Sequence, residues 1–201
     1  MHERLRLRVP TGITSLDPLL DGGAPPGSVV LLLGEHGAGN VEFVQTSIMH
    51  LATLKRSGKA GEHLLLPGRI VYVTLTRMRE DILREMALSF NPDLYTQLEE
   101  EIVFYDLSEI YFDASIVPPG WYGEGSTIER LQKKQRRESG DILADVARVL
   151  DGCPDNSLLV MDSLTGIAPS LTGSPRWHAF IAFLRGLQQA AKRRNIAIYL
   201  L

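Results

Sequence analysis

The sequence predicts an α/β domain built on a mostly parallel sheet with helices on both faces. Three observations carry that expectation. Five short apolar runs, within 29–33, 69–75, 102–107, 158–163 and 196–201, alternate with segments of helical periodicity. The run Arg69-Ile70-Val71-Tyr72-Val73-Thr74-Leu75 is apolar almost throughout, as a strand covered on both faces must be. The first run leads straight into Gly34-Glu35-His36-Gly37-Ala38-Gly39-Asn40-Val41, a glycine-rich turn that opens a helix.

A chain of 201 residues suits one domain, read as a short N-terminal arm over 1–10 and a core over 11–201. With 44% hydrophobic and 22% charged residues it can bury a core, which argues against disorder. The 21 basic and 24 acidic residues leave a net charge of −3, which gives no global attraction to nucleic acid. A single cysteine, Cys153, excludes an internal disulfide and a cysteine-rich zinc site. No apolar stretch reaches membrane-spanning length, and Met1-His2-Glu3-Arg4 is not a signal peptide, so a cytoplasmic protein with no membrane contact is expected.

In chain order, Arg4-Leu5-Arg6-Leu7-Arg8-Val9 alternates strictly and predicts a short half-buried strand. Pro10 ends it, and the turn cluster Asp21–Gly27 precedes the first core strand. After the glycine turn, Val41, Val44, Ile48 and Leu51 recur at helical spacing, and Gly58 closes that helix. A second helix spans about 79–90, with Ile82, Leu83, Met86, Ala87 and Phe90 inward. Residues 108–125 look irregular; their aromatics either line a binding loop or pack over the sheet's end, and Trp121 and Tyr122 are expected to be at least partly accessible at the sheet's carboxyl edge. Ser126-x-x-Glu129 reads as a capping box. Lys133-Lys134 and Arg136-Arg137 are either a nucleic-acid contact or, more commonly for such a run, a solvated helix face. Asp141 restarts a helix with Ile142, Leu143, Val146 and Leu150 inward, and Ser174-Pro175 caps the last one, which ends in Lys192-Arg193-Arg194.

The glycine turn has the outline of a phosphate-binding loop. Gly34 and Gly39 stand at the ends of G-x-x-x-x-G, and such a loop points backbone N–H groups at phosphate oxygens beside a helix N-terminus. The two positions that follow depart from the pattern: Asn40 replaces the lysine and Val41 the serine or threonine.

The stretch Thr11-Gly12-Ile13, Leu16-Asp17, Leu20, Gly22-Gly23 and Pro26-Gly27-Ser28, running into strand and glycine loop, resembles the RecA/KaiC family of P-loop ATPases. The segment Val160-Met161-Asp162-Ser163-Leu164 is similar to that family's Walker B strand, and Val71–Leu75 with its following helix to KaiC-like proteins. The resemblance implies a RecA-like three-layer α/β/α sandwich whose core strands stand in the order third, second, fourth, fifth, first. It also implies further strands after the fifth, so the chain is naturally short or a fragment. Those strands would flank Val29–Leu33, so the edge is expected to be covered by Arg4–Val9 or, preferably, by a second copy or paralogue.

The same resemblance assigns the site. Residues Gly34–Val41 would hold nucleotide, Asp162 with Ser163 would form the Walker B end, and the glutamate that orients the attacking water would fall at Thr76-Arg77. Asp162 alone keeps the family's chemistry and is the one residue placed to touch a metal. Three readings follow. The domain is a degenerate, catalytically inactive module acting through a protein partner or paralogue, as a homo- or hetero-oligomer; or it binds ATP, with or without magnesium, and does not hydrolyse it; or it is a DNA-binding accessory, which the net charge disfavours. The glycines support nucleotide binding, but they serve a tight strand-to-helix turn equally well.

Overall fold

A computed structural model describes residues 7–35, 37–58, 61–91, 95–96, 101–113, 115–122, 141–167 and 176–201. The elements in chain order are β1 (Val29–Leu31), α1 (Asn40–Ser57), β2 (Ile70–Thr74), α2 (Arg79–Ser89), β3 (Ile102–Asp106), α3 (Ser108–Asp113), α4 (Ile142–Gly152), β4 (Leu158–Asp162), α5 (Arg176–Arg194) and β5 (Ala197–Leu200). The five strands form one sheet in the order β1-β5-β4-β2-β3, every pairing parallel. Read from the other edge, this is the expected order.

Strand alternation sorts the core into two layers. Ile70 and Tyr72 of β2, with Leu158 and Val160 of β4, meet Val44, Ile48 and Leu51 of α1 and Ile82 and Met86 of α2. Val71, Val73, Leu159 and Met161 face the other way, onto Val146 and Leu150 of α4 and Phe180 and Leu187 of α5. The central strands β2, β4 and β5 are buried along their whole length, which is why they read as continuous apolar runs. Burying such Leu, Ile and Val side chains contributes about 1.5–3 kcal/mol each.

The Thr11–Asp17 segment is a side-chain clamp. Asp17 Oδ1 accepts from the Thr11 N–H and hydroxyl, both at 2.7 Å, and Oδ2 accepts from the Gly12 N–H at 3.0 Å. Ser47 of α1 donates its hydroxyl to the Thr11 carbonyl at 2.5 Å, and His50 Nδ1 lies 2.6 Å from the Gly12 carbonyl. Gly12 has φ +75, and a Cβ there would sit 2.9 Å from the His50 Cβ. The clamp fixes α1 from outside and so fixes the direction in which the glycine turn emerges from β1.

Four expectations are corrected. The described end of the arm lies away from β1: Arg8 bridges Leu64 and Val9 bridges Ala24, and Arg8 pairs with Asp21 at 3.3 Å. The outer flank of β1 therefore has no strand beside it among the described residues, and Leu31 and Leu33 are 52% and 82% exposed. Residues 108–113 form a helix, started by Asp106, whose Oδ1 accepts from the Ser108 N–H and whose Oδ2 accepts from the Arg79 N–H. Ala87 is exposed, because Ile82 and Met86 alone fill the α2 seam. Tyr122 is buried at 7% with its hydroxyl donated to Asp113 at 2.9 Å, whereas Trp121 beside it stays 78% exposed. Arg4–Arg6, the Ser126 capping box, the Lys133–Arg137 cluster and Ser174-Pro175 lie outside the described residues.

Candidate functional site

The glycine turn and the start of α1, Arg77 after β2, Glu85 and Ser89 from the later turns of α2, and the end of β4 surround one cavity of about 740 Å³ at the carboxyl edge of the sheet. Its wall includes Gly34, Glu35, Gly37, Ala38, Gly39, Asn40 and Val41 from the turn, with Asp162 and Ser163 from the far side. The structure thus brings the expected loop residues and Asp162 with Ser163 onto the walls of one cavity. His36 lies outside the described residues.

The loop is shaped by its glycines. Gly37 and Gly39 have φ +81 and +89, and a side chain built at either would meet open space, so conformation and not crowding demands glycine there. Gly34 is different: a Cβ would lie 2.7 Å from the Ala38 Cβ. Ala38 N–H donates to the Glu35 carbonyl at 3.0 Å and Phe43 N–H to the Gly39 carbonyl at 2.8 Å, which carries the turn into α1. Asn40 does not reach over the cavity; its amide turns back toward the Leu32 carbonyl at 3.4 Å. Val41 is half-buried and brings no oxygen.

Opposite the loop, the side chains have a different logic. Thr74, the last residue of β2, accepts the Arg77 N–H at 3.3 Å and donates its hydroxyl to the Arg77 carbonyl at 2.5 Å. That turn aims Arg77 back at the strand ends. Its Nη2 meets Glu85 Oε1 of α2 at 2.5 Å, and its Nη1 stands 3.7 Å from Asp162 Oδ2. The same Asp162 oxygen accepts the Tyr72 hydroxyl at 2.8 Å. Burial pushes the Asp162 carboxyl above its ordinary value, although the Tyr72 hydrogen bond and the Arg77 charge pull it down. Burial also raises Tyr72 well above the usual phenol, and the Asp162 charge adds to it. Desolvation works against the Arg77 cation, but the Glu85 hydrogen bond and the charges of Asp162 and Glu85 raise it on balance.

Tyr72 and Glu85 were not legible as site residues. Tyr72 sits in an apolar run, and Glu85 is one of several acids on a helix surface. A third addition is Gln45 of α1, which lines the same cavity while only 3% exposed, with a buried Nε2 that has no hydrogen-bond partner.

A magnesium ion does not fit this set. The position after the loop that should supply a hydroxyl holds Val41, and the one acid on the strand end is already taken by a phenol and a guanidinium.

An all-parallel sheet in this order, with a glycine turn after its first strand and an acid at the end of its fourth-formed strand, defines the RecA-like P-loop class. The chain belongs to the KaiC-like ATPase family: the family model described as ATPase: KaiC matches residues 9–174. Among solved structures it is similar to the KaiC-like protein PH0186 from the hyperthermophilic archaeon Pyrococcus horikoshii OT3. The TM-score is 0.56 at 23% identity, covering 96% of this chain and 68% of that one. No curated protein matches the sequence. Among the described residues, no helix is long and apolar enough to cross a membrane.

Proposed function

We propose that this chain is a KaiC-like domain that does not turn over ATP and acts by association with a protein partner, a second copy or a paralogue. One observation carries the first half. Arg77, at the position where the family's base would orient water, is ion-paired to Asp162 and Glu85. A guanidinium cannot accept a proton, and a positioned base is worth typically ~10²–10⁴-fold in rate. Asn40 and Val41 remove the phosphate-neutralising charge and the metal-ligating oxygen as well.

The second half is supported by β1. Its outer flank carries Leu31 and Leu33 in water, an edge that invites another strand or an apolar face. Purified protein should show no magnesium-dependent ATP hydrolysis above background, and light scattering should report a species larger than the monomer. Turnover that Asp162→Ala abolishes would overturn the catalytic reading; a strict monomer at micromolar concentration, binding no partner through β1, would overturn the associative one. Binding of nucleotide without hydrolysis is the second reading, supported by the retained left-handed glycines Gly37 and Gly39 that turn the loop into α1.

A further inference from the structure

Val41 and Arg77 both work against a divalent ion at the Asp162 edge, in different ways. Val41 withholds one oxygen, and a water can fill a missing place in a magnesium or manganese shell. Arg77 brings a charge. Its two terminal nitrogens face two carboxylates: Nη2 meets Glu85 Oε1 at 2.5 Å, and Nη1 stands 3.7 Å from Asp162 Oδ2. Both acids thus converge on one cation, and the Tyr72 hydroxyl takes the same Asp162 oxygen at 2.8 Å. The Asp162 side chain is only 5% exposed, so little solvent screens a second cation from the first.

The guanidinium is held in that place from both ends. Thr74 is fully buried; its hydroxyl donates to the Arg77 carbonyl at 2.5 Å and accepts the Arg77 N–H at 3.3 Å. Leu75, two residues before Arg77, donates its N–H to the Asp162 carbonyl at 2.6 Å. The segment that carries the cation is therefore bonded to the strand end that carries the acid, while Glu85 of α2 holds the guanidinium tip.

Resting on the reading that this domain does not turn over ATP, we infer that Arg77 is a built-in counter-ion that excludes divalent metal from the Asp162 edge. Its charge, and not the oxygen missing at Val41, decides the exclusion. A guanidinium keeps its proton in a protein, so this cation is permanent where a metal would come and go. Giving the loop back a hydroxyl leaves the edge closed to metal. Taking the guanidinium away leaves Asp162 and Glu85 facing one another with no cation between them, and a divalent ion then has two carboxylates to bind.

Manganese titration of the full chain without nucleotide, followed by electron paramagnetic resonance, tests this. Asp162→Asn measures the uptake that belongs to other surface acids. The parent, Val41→Thr and Arg77→Lys are expected to match Asp162→Asn. Arg77→Gln is expected to gain one site, roughly tenfold or more tighter than any in the parent, and to lose it again when combined with Asp162→Asn. Circular dichroism checks each fold, and Arg77→Met stands in if Arg77→Gln does not fold. Uptake by the parent that Asp162→Asn removes overturns the inference. So does uptake gained by Val41→Thr alone, by Arg77→Lys as much as by Arg77→Gln, or by neither folded neutral variant. A parent that takes up manganese at Asp162 yet hydrolyses no ATP removes this inference alone. Hydrolysis by a parent that excludes manganese removes the proposed function alone.

Discussion

The Thr11–Asp17 clamp and the Asp162 edge are both family motifs in one chain, and they differ in how their side chains are used. In the clamp every polar group has its intended partner: one aspartate takes three donors, and α1 returns a hydroxyl to the Thr11 carbonyl. At the edge the backbone frame is kept while the side chains have been rewired. The glycine turn holds its left-handed residues, yet Asn40 folds back on Leu32 and Arg77 neutralises the acid that should face a metal. A motif that holds the fold can stay intact where a motif that does chemistry on the same frame does not, because each is fixed by different atoms.

The clamp should be the more expensive of the two to break. Asp17→Ala removes three hydrogen bonds to a charged acceptor and leaves the Thr11 and Gly12 donors without it. Individual bonds of this kind are worth about 1.5–3 kcal/mol and are not additive, so a loss of about 3 kcal/mol is expected. For a chain of this size that lowers Tm by roughly 6–12 °C in a thermal melt. A variant that melts with the parent would show that the clamp is decoration on a helix already fixed by Val44, Ile48 and Leu51.

The edge should respond less, and with a pH signature. Arg77→Ala leaves Asp162 buried beside Tyr72 with no cation. Breaking a fully buried pair costs 3–5 kcal/mol, but Arg77 is a quarter exposed and the Asp162 carboxyl can take a proton, so about 1–2 kcal/mol is expected at neutral pH. The pKa of Asp162 is raised in the folded protein, mainly by burial. The folded state therefore holds the proton to higher pH than the unfolded chain does. The stability this group contributes is fully present below the unfolded carboxylate value of about 4 and is lost as pH rises through the folded value. Denaturant melts of Asp162→Asn should gain on the parent as pH rises through that window. A constant difference across it would place the titration elsewhere.

The strands themselves and the glycine turn were legible because they rest on local pattern, apolar runs and glycines at fixed offsets, whereas the strand order and the Thr11–Asp17 residues entered only through the resemblance to the RecA/KaiC family. The rewired edge was legible only as replacements. Asn40, Val41 and Arg77 could be seen to break the family's pattern, but Arg77 turning inward depends on Thr74 closing its turn and on Glu85 arriving from α2. Tyr72 looked like core because it is core, and its hydroxyl finds Asp162 only across the β2–β4 pairing. The helix Ser108–Asp113 was missed for its length: six residues with two aromatics and no apolar period are held by Asp106, which caps both it and α2. The exposed flank of β1 was foreseen, but Val9 was misplaced there, since the antiparallel bridge with Ala24 depends on a turn the alternation does not describe.

The smallest effect separates two neighbouring aromatics at the same edge. Trp121 and Tyr122 are adjacent in sequence and alike in hydrophobicity, yet Trp121 is 78% exposed while Tyr122 is buried against Phe112, ring centroids 5.1 Å apart. Tyr122→Phe should cost about 1 kcal/mol for the hydroxyl given to Asp113. Trp121→Phe should stay within about 0.5 kcal/mol, because an exposed ring gives up little on truncation. The second tryptophan, Trp177, is 36% exposed and stacks near Phe180 at 5.5 Å, so iodide should reach it less readily. The parent's fluorescence should therefore quench mostly through Trp121, and Trp121→Phe should remove the larger part of the quenchable signal. Equal Stern–Volmer slopes for parent and variant would mean that Trp121 is covered in solution, and the edge of the sheet would then be closed by something packed over the Trp121 ring.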